Sequence, residues 1–280
     1  HHEFVVKPDA LEVLPLLVRH YGEPFADSSA IPTYYVARET RRHVTVALNG
    51  DGGDEAFGGY ERYAAMSIAE HYRSVPRWIR RAMLDPMMSA IPKRVKRNAF
   101  IKNTETVMKA ACLPRLDRYL RWITTFSESD KSTIGFRGHA SVNANGSAIA
   151  SQLARDELHL IDQMLYADLL TYLPDDLLAK VDIASMANSL EARSPFLDHK
   201  FIEFAASLPV NLKVKGIQTK YLLKKLAAKL VPPEVVYRRK WGFGMPIGRW
   251  LRNDLRELVN ETLLTETVRK RELFDQAAIE

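Results

Sequence analysis

His43-Val44-Thr45-Val46-Ala47-Leu48-Asn49-Gly50-Asp51-Gly52-Gly53-Asp54-Glu55 runs from a short β-branched apolar segment, through a glycine-rich turn, into a group of acids. The first part reads as a buried strand of a parallel sheet. Glycines at positions 50, 52 and 53 let the backbone leave that strand sharply and come close to a ligand. A helix is predicted to start near Asp54, where its partial positive charge favours the side chains of Asp54 and Glu55. In an open α/β sheet, ligands bind at the carboxyl ends of strands. A phosphate cradle uses bare N–H groups and usually a lysine, whereas three carboxylates repel phosphate unless a cation lies between them. The turn therefore points to a site for a cation, an amino-acid amine, or both. The plainer alternative is a strand-turn-helix corner with an aspartate cap.

Upstream, Glu3-Phe4-Val5-Val6 is a strand candidate. Leu11, Leu14, Leu17 and Val18 recur at helical spacing between Asp9 and Tyr21, with Gly22 as the stop. Pro32 opens a second helix to about Arg42. The chain up to Tyr63 thus reads β-α-α-β-turn-α, part of an α/β sheet. Beyond Tyr63 the pattern is helical. Arg73–Pro92 and Arg94–Cys112 are basic amphipathic stretches, and Arg115–Phe126 gathers Leu116, Tyr119, Leu120, Ile123 and Thr124 on one face. Lys131–Ile149 is rich in Ser, Gly, Asn and Ala and reads as a loop. Helices are expected again from Ser151, over Leu160–Tyr172, Asp175–Asn188, His199–Ser207 and Thr219–Leu230.

The bulk properties are those of a soluble globular chain: 280 residues, 46% hydrophobic and 26% charged. The net charge of +6 suits an anionic partner, and a nucleotide as well as a nucleic acid. Cys112 is the single cysteine, so no disulfide framework is possible and a cytoplasmic location is expected. No stretch approaches the ~18 uninterrupted apolar residues of a membrane span. The sequence begins and ends inside apparent structure and reads as a piece of a longer protein.

Two further segments carry candidate chemistry. In Asp182–Asp198, the residues Asp182, Ser185 and Ser189 recur at helical spacing, and Pro195 is expected to end that helix after Glu191 and Arg193. Glu191 and Arg193 are charges flanked by apolar residues, which predicts burial with partners, either as a structural ion pair holding bundle to sheet or in direct catalysis. In Tyr237–Pro246, Gly242, Gly244 and Pro246 deny a helix, Tyr237 and Trp241 anchor a loop, and Arg238 and Lys240 offer cations to a polyphosphate. Zinc-protease, Walker A, nucleophile-elbow and dinucleotide fingerprints are all lacking.

In this order, the three segments resemble the synthetase domain of the glutamine-hydrolysing asparagine synthetases. The family pattern L-S-G-D-G-G-D-E-x-F-G-G-Y-x-R-Y is similar to Leu48–Tyr63, with Asn49 in place of the serine. L-P-D-D-L-L-x-K-x-D-x-x-S-M-x-x-S-L-E-x-R-x-P-F-L-D is similar to Leu173–Asp198. R-x-K-x-G-F-x-x-P is similar to the stretch from Arg238 to Pro246. Glu23-Pro24-Phe25-Ala26-Asp27 and Lys220-Tyr221-Leu222-Leu223 add lesser matches. The resemblance implies an α/β fold of the adenine nucleotide alpha-hydrolase-like, PP-loop ATP pyrophosphatase type. This chain would be its predominantly α-helical part with a small parallel β piece. Residues 1–63 would belong to the nucleotide-binding portion and 64–280 to the helical portion. The glutaminase domain and the S-G-G-x-D-S loop would lie upstream, and without them this piece is not expected to form an acyl-adenylate.

The implied reaction is ATP-dependent conversion of aspartate, through β-aspartyl-AMP, to asparagine with glutamine-derived ammonia. By that resemblance Lys240 and Asp51 are catalytic, Asp54, Glu55 and Arg238 bind substrate, and Leu48, Asn49 and Gly50 lie near the nucleotide. Asp54 and Glu55 would hold Mg²⁺, with Asp182, Glu191 and Arg193 in support. The implied partners are aspartate or a related carboxylate, ATP and ammonia, with a homodimer left open and no membrane. Two alternatives remain at this stage: a related amidotransferase or cyclising synthetase acting on another carboxylate, and a nucleic-acid-binding protein using the basic helices from Arg73 to Arg97.

Overall fold

The computed structural model describes residues 3–6, 8–79, 82, 110–126, 128–135, 143–238 and 245–279. Its described part is mostly helical, with one two-stranded parallel sheet. Helix α1, Ala10–Tyr21, starts where Asp9 Oδ1 accepts from the N–H groups of Leu11 and Glu12. It ends where Gly22, at φ +67°, returns its N–H to the Val18 carbonyl. Helix α2, Ala30–Arg41, packs on α1 through Val13, Leu17, Ile31, Tyr34 and Tyr35. Glu3–Val6 forms no strand; a lone apolar run needs a pairing edge, and its ring contact is with His43.

Strand β1, Val46–Leu48, pairs in parallel with β2, Glu191–Arg193, in the register Val46–Glu191, Ala47–Ala192, Leu48–Arg193. The parallel neighbour agrees with the sequence reading, but the burial does not. Val46 is 39% exposed and Leu48 74%. An apolar run is buried only when elements cover its faces, and here one short, charged neighbour lies along one edge.

Helix α3, Gly53–Phe57, leads through Gly58 to α4, Glu61–Ser74. Helices α5, Arg115–Ile123, α6, Asn143–Leu153, and α7, Leu160–Leu170, surround α4 in a core built on Tyr63, Met66, Tyr119, Ile149, Leu153, Ile161, Met164 and Leu165. The loop expected over 131–149 is in part helical, since Glu128–Thr133 overlaps its start and α6 its end. Ile149 and Leu153, four residues apart, supply the buried contact that α6 needs. A π-helical stretch, Leu173–Leu178, runs into α8, Ala179–Met186, which packs against α2.

The Asp175–Asn188 helix stops early. Ser189, at φ +56°, turns the chain so that Glu191–Arg193 becomes β2. Ser189 therefore cannot share a helix face with Asp182 and Ser185. A short 3₁₀ turn at Pro195–Leu197 leads to α9, His199–Ser207, capped by Asp198. Further along lie α10, Val210–Lys213, and α11, Tyr221–Ala227. The basic stretches predicted between Arg73 and Cys112 fall largely outside the described residues.

Candidate functional site: an acidic turn between two lysines

The acidic turn forms because β2 and the 3₁₀ turn clamp the end of β1. The Asn49 N–H donates to the Arg193 carbonyl at 2.8 Å, which carries the ladder past Leu48. The Asn49 side chain stays within the protein: Nδ2 donates to Asp51 Oδ2 at 2.7 Å, while Oδ1 accepts from the Ser194 hydroxyl at 2.5 Å. Gly52, at φ +84°, has no room for a side chain, since a Cβ there would meet Leu197 Cδ2 at 2.1 Å. The close neighbours of Gly52 and Gly53 are thus Leu197 and Phe196 of the 3₁₀ turn. Gly50 is exposed, with open space where a Cβ would stand.

Asp54 and Glu55, adjacent on α3, point roughly 100° apart, as one helical step requires. Asp54 pairs with Lys220 Nζ at 3.0 Å. Gly59 permits this pair, because a Cβ there would fall 1.7 Å from Asp54 Oδ1 and 2.3 Å from Lys220 Cε. Glu55 is buried and accepts from the Tyr60 hydroxyl at 2.5 Å. Glu55 also lines a cavity of about 270 Å³ with Leu158, Asp162, Leu165, Ile202 and Lys213. Burial raises the Glu55 pKa above the ordinary value, against the Tyr60 hydrogen bond and with help from Asp54 and Asp168.

Asp51 is half-buried. Burial raises its pKa; the Lys180 ammonium opposes that, and Asp54 adds to it. Lys180, on α8, is itself buried and holds Asp27 Oδ2 at 2.7 Å. Asp27 also accepts from the N–H and the hydroxyl of Ser29. Burial alone would raise Asp27, but the hydrogen bonds from Lys180 and Ser29 hold it below the ordinary value. Beside it, burial and the Asp27 carboxylate push Asp176 up to about 6. Tyr21, whose hydroxyl donates to the Lys180 carbonyl, is raised to about 12 by burial and then by Asp27 and Asp176. Lys220 thus reaches the acidic turn at Asp54, while Lys180, held by Asp27, acts on Asp51 through its charge.

The family model described as asparagine synthase matches residues 1–280. Asparagine synthetase [glutamine-hydrolyzing] 1 of Bacillus subtilis is 35% identical over 262 residues, covering 92% of this chain and 40% of that protein. The chain belongs to the asparagine synthase family.

A putative asparagine synthetase [glutamine-hydrolyzing] of Mycobacterium tuberculosis is 34% identical over 258 residues, 90% of this chain and 38% of that protein. More distant is the amidase chyE of Penicillium rubens, 22% identical over 253 residues, 80% of this chain and 36% of that protein. No solved structure gave a significant match. The chain spans about two fifths of the length of these two asparagine synthetases.

Within this family member the anticipated site residues divide. Leu48, Asn49, Gly50, Asp51, Asp54 and Glu55 form one continuous corner. Glu191 and Arg193 do pair, at 2.7 Å, but both are exposed on β2, which corrects the expected buried pair. A strand with no cover on its faces leaves both charges in water, where such a pair contributes little. Asp182 is exposed on α8, and its carbonyl accepts from the Ser185 hydroxyl. Arg238 is exposed, and no contact among the described residues brings it to the corner. Lys240 lies outside the described residues. Sequence reasoning passed over Lys180, Asp27, Asp176 and Lys220 as site residues, although all four fall inside the blocks that carried the family resemblance. The available signal was a lysine between Ala179 and Val181 on a helix that packs inward.

Proposed function

We propose that this chain carries the synthetase chemistry of an ATP-dependent amide-forming ligase, with aspartate as the carboxylate and glutamine-derived ammonia as the nitrogen source. The observation that supports it best is the acidic turn at the carboxyl end of β1, where Lys220 pairs with Asp54 at 3.0 Å and the charge of buried Lys180, itself paired with Asp27, acts on half-buried Asp51. A parallel strand end is where an α/β protein places its ligand. In the proposed reaction a β-carboxylate oxygen attacks the α-phosphorus of ATP, and the bond to the β-phosphate breaks, releasing pyrophosphate. Ammonia then attacks the acyl carbon, one N–H proton leaves to a base, and AMP departs.

Asp51, raised by burial and still ionisable, is the base we assign to that proton. The exposed backbone of Leu48 and Gly50 faces the nucleotide, while Asn49 serves mainly to hold Asp51. Lys180 and Lys220 offer charge to the phosphates or the substrate carboxylate, and Lys240 is assigned the charge building on the leaving pyrophosphate. Arg238 would assist on the same loop.

Among the described residues no three His, Cys, Asp or Glu side chains cluster as a metal site. Mg²⁺ usually binds one or two carboxylates plus substrate phosphates and waters, and Asp54 fits that donor set. Glu55, turned toward Tyr60, does not. When bound, Mg²⁺ would neutralise phosphate charge.

The test is ATP–pyrophosphate exchange by the full-length protein. Aspartate should support exchange, and Lys180→Met should reduce it about 100-fold, as loss of a preplaced transition-state charge does. Exchange with another carboxylate and none with aspartate would move the substrate and keep the reaction class. Normal exchange by Lys180→Met would remove Lys180 from the mechanism.

A further inference from the structure

Asp168 is fully buried in the apolar run of α7. A carboxylate there is tolerable only with a counter-charge and hydrogen-bond donors. It has both. The Tyr63 hydroxyl donates to Oδ2 at 2.5 Å, the Tyr119 hydroxyl donates to Oδ1, and Arg62 Nη2 lies 2.9 Å from Oδ2. Burial would lower the Arg62 pKa, but the Asp168 charge outweighs it and raises it, so the guanidinium stays charged.

The guanidinium carbon sits 3.9 Å from the centre of the Tyr60 ring, with the Tyr172 ring at 4.8 Å and the Tyr63 ring at 5.5 Å. A cation over an aromatic face at this range is attractive, more so away from water. Tyr60 then donates to Glu55. One line of contacts joins a buried anion to the inner carboxylate of the acidic turn.

We propose that Asp168 and Arg62 are positioning residues that hold the Tyr60 phenol against Glu55, giving that carboxylate one fixed orientation and donor. The other charged groups near Glu55 do not take that place. Asp54 and Asp168 are anions, and Arg155 lies at the exposed side of the shared cavity. Lys213 is held by Asp162 at 3.0 Å and by the Ala206 carbonyl. The positioning stands on this geometry; its bearing on turnover rests on the synthetase reading above.

The experiment reads the Tyr60 ring at one fixed pH, by its flip rate in ¹³C line shapes of the protein labelled at tyrosine ring carbons, assigned with Tyr60→Phe. Arg62→Lys keeps the pair with Asp168 but loses the planar face over the ring, and should raise the flip rate about tenfold or more, as loss of about 1.4 kcal/mol of restraint does. Asp168→Asn should behave as Arg62→Lys does; if it fails to fold, Arg62→Lys decides. Glu55→Gln, which leaves the Arg62 stack in place, should raise the rate less than Arg62→Lys does. A parental flip rate in Arg62→Lys, or a larger rise in Glu55→Gln than in Arg62→Lys, overturns the proposal. A raised flip rate with unchanged turnover in full-length Arg62→Lys would uphold the positioning and count against a role for Glu55 in the reaction.

Discussion

Asp54 and Glu55 are neighbours in sequence, and the protein treats them in opposite ways. Asp54 meets the Lys220 side chain, and both remain partly in water. Glu55 turns inward to a phenol fixed by a buried ion pair. The same one-step rotation along a helix gives one carboxylate a partly solvated cation and the other a half-buried phenol. An acidic turn of this kind combines an adaptable side with a rigid one.

The largest expected effect sits on the rigid side. Asp168→Ala leaves Arg62 charged and buried without its counter-ion, which costs about 3–5 kcal/mol. Urea denaturation should show this as a fall in midpoint. Replacing both partners by apolar residues, Arg62→Met with Asp168→Leu, should recover much of the loss, because no orphaned charge remains. A mild effect of Asp168→Ala would mean that the buried hub is not rigid, and the contrast with Asp54 would fail.

Lys180 comes next, where the cost is in turnover. Its substitution by Met should leave the fold intact and cut turnover of the full-length protein about 100-fold. The matching change at Lys220 should cost at most about tenfold, because a partly solvated cation is easier to replace.

Asp176 sharpens the comparison by pH. Its folded value of about 6 lies above the ordinary 3.8, so between these the native state binds more protons than the unfolded chain. The stabilisation is complete below about 4 and is lost as pH rises through 6. Asp27, held low by Lys180 and Ser29, acts in the opposite sense, and its contribution is lost as pH falls through its folded value. The two carboxyls titrate as a coupled pair, so Asp176→Asn is the informative change. It should flatten the fall in stability between pH 4 and 6 and raise stability at pH 7 by about 1 kcal/mol after solvent screening. An unchanged slope would show that the pair shares no proton.

Much of this was legible in the sequence. Asp9 and Gly22 announce α1 by cap chemistry, and the glycines from 50 to 53 announce the corner. The missed features have particular causes. Glu-Ala-Arg at 191–193 has no apolar residue on its outer positions, so nothing local marks a strand; pairing with Val46–Leu48 creates it. Helix α6 is mostly small and polar, and only Ile149 and Leu153 register its contact with the core. The partner of Lys180, Asp27, lies 153 residues away, so no local pattern names it. Asp168 did carry a signal, since an acid among Leu165, Ala167, Leu169 and Leu170 must find buried partners, but the sequence does not name them.

The smallest expected effect belongs to the Asp54–Lys220 pair, and it tests the adaptable side. A double-mutant cycle with Asp54→Asn and Lys220→Met should give a coupling below about 1 kcal/mol, the usual worth of a partly exposed pair. The coupling should shrink further as salt rises, since the Debye length falls to roughly 3 Å at 1 M. Weakness here is what the proposed function requires. A lysine bound to Asp54 by several kcal/mol could not turn toward a phosphate or a substrate carboxylate without that energy being supplied by the ligand. A coupling of about 3 kcal/mol or more, unmoved by salt, would place this pair with Asp168 and Arg62 as fixed scaffold. The adaptable half of the turn would then reduce to Asp51 and Lys180.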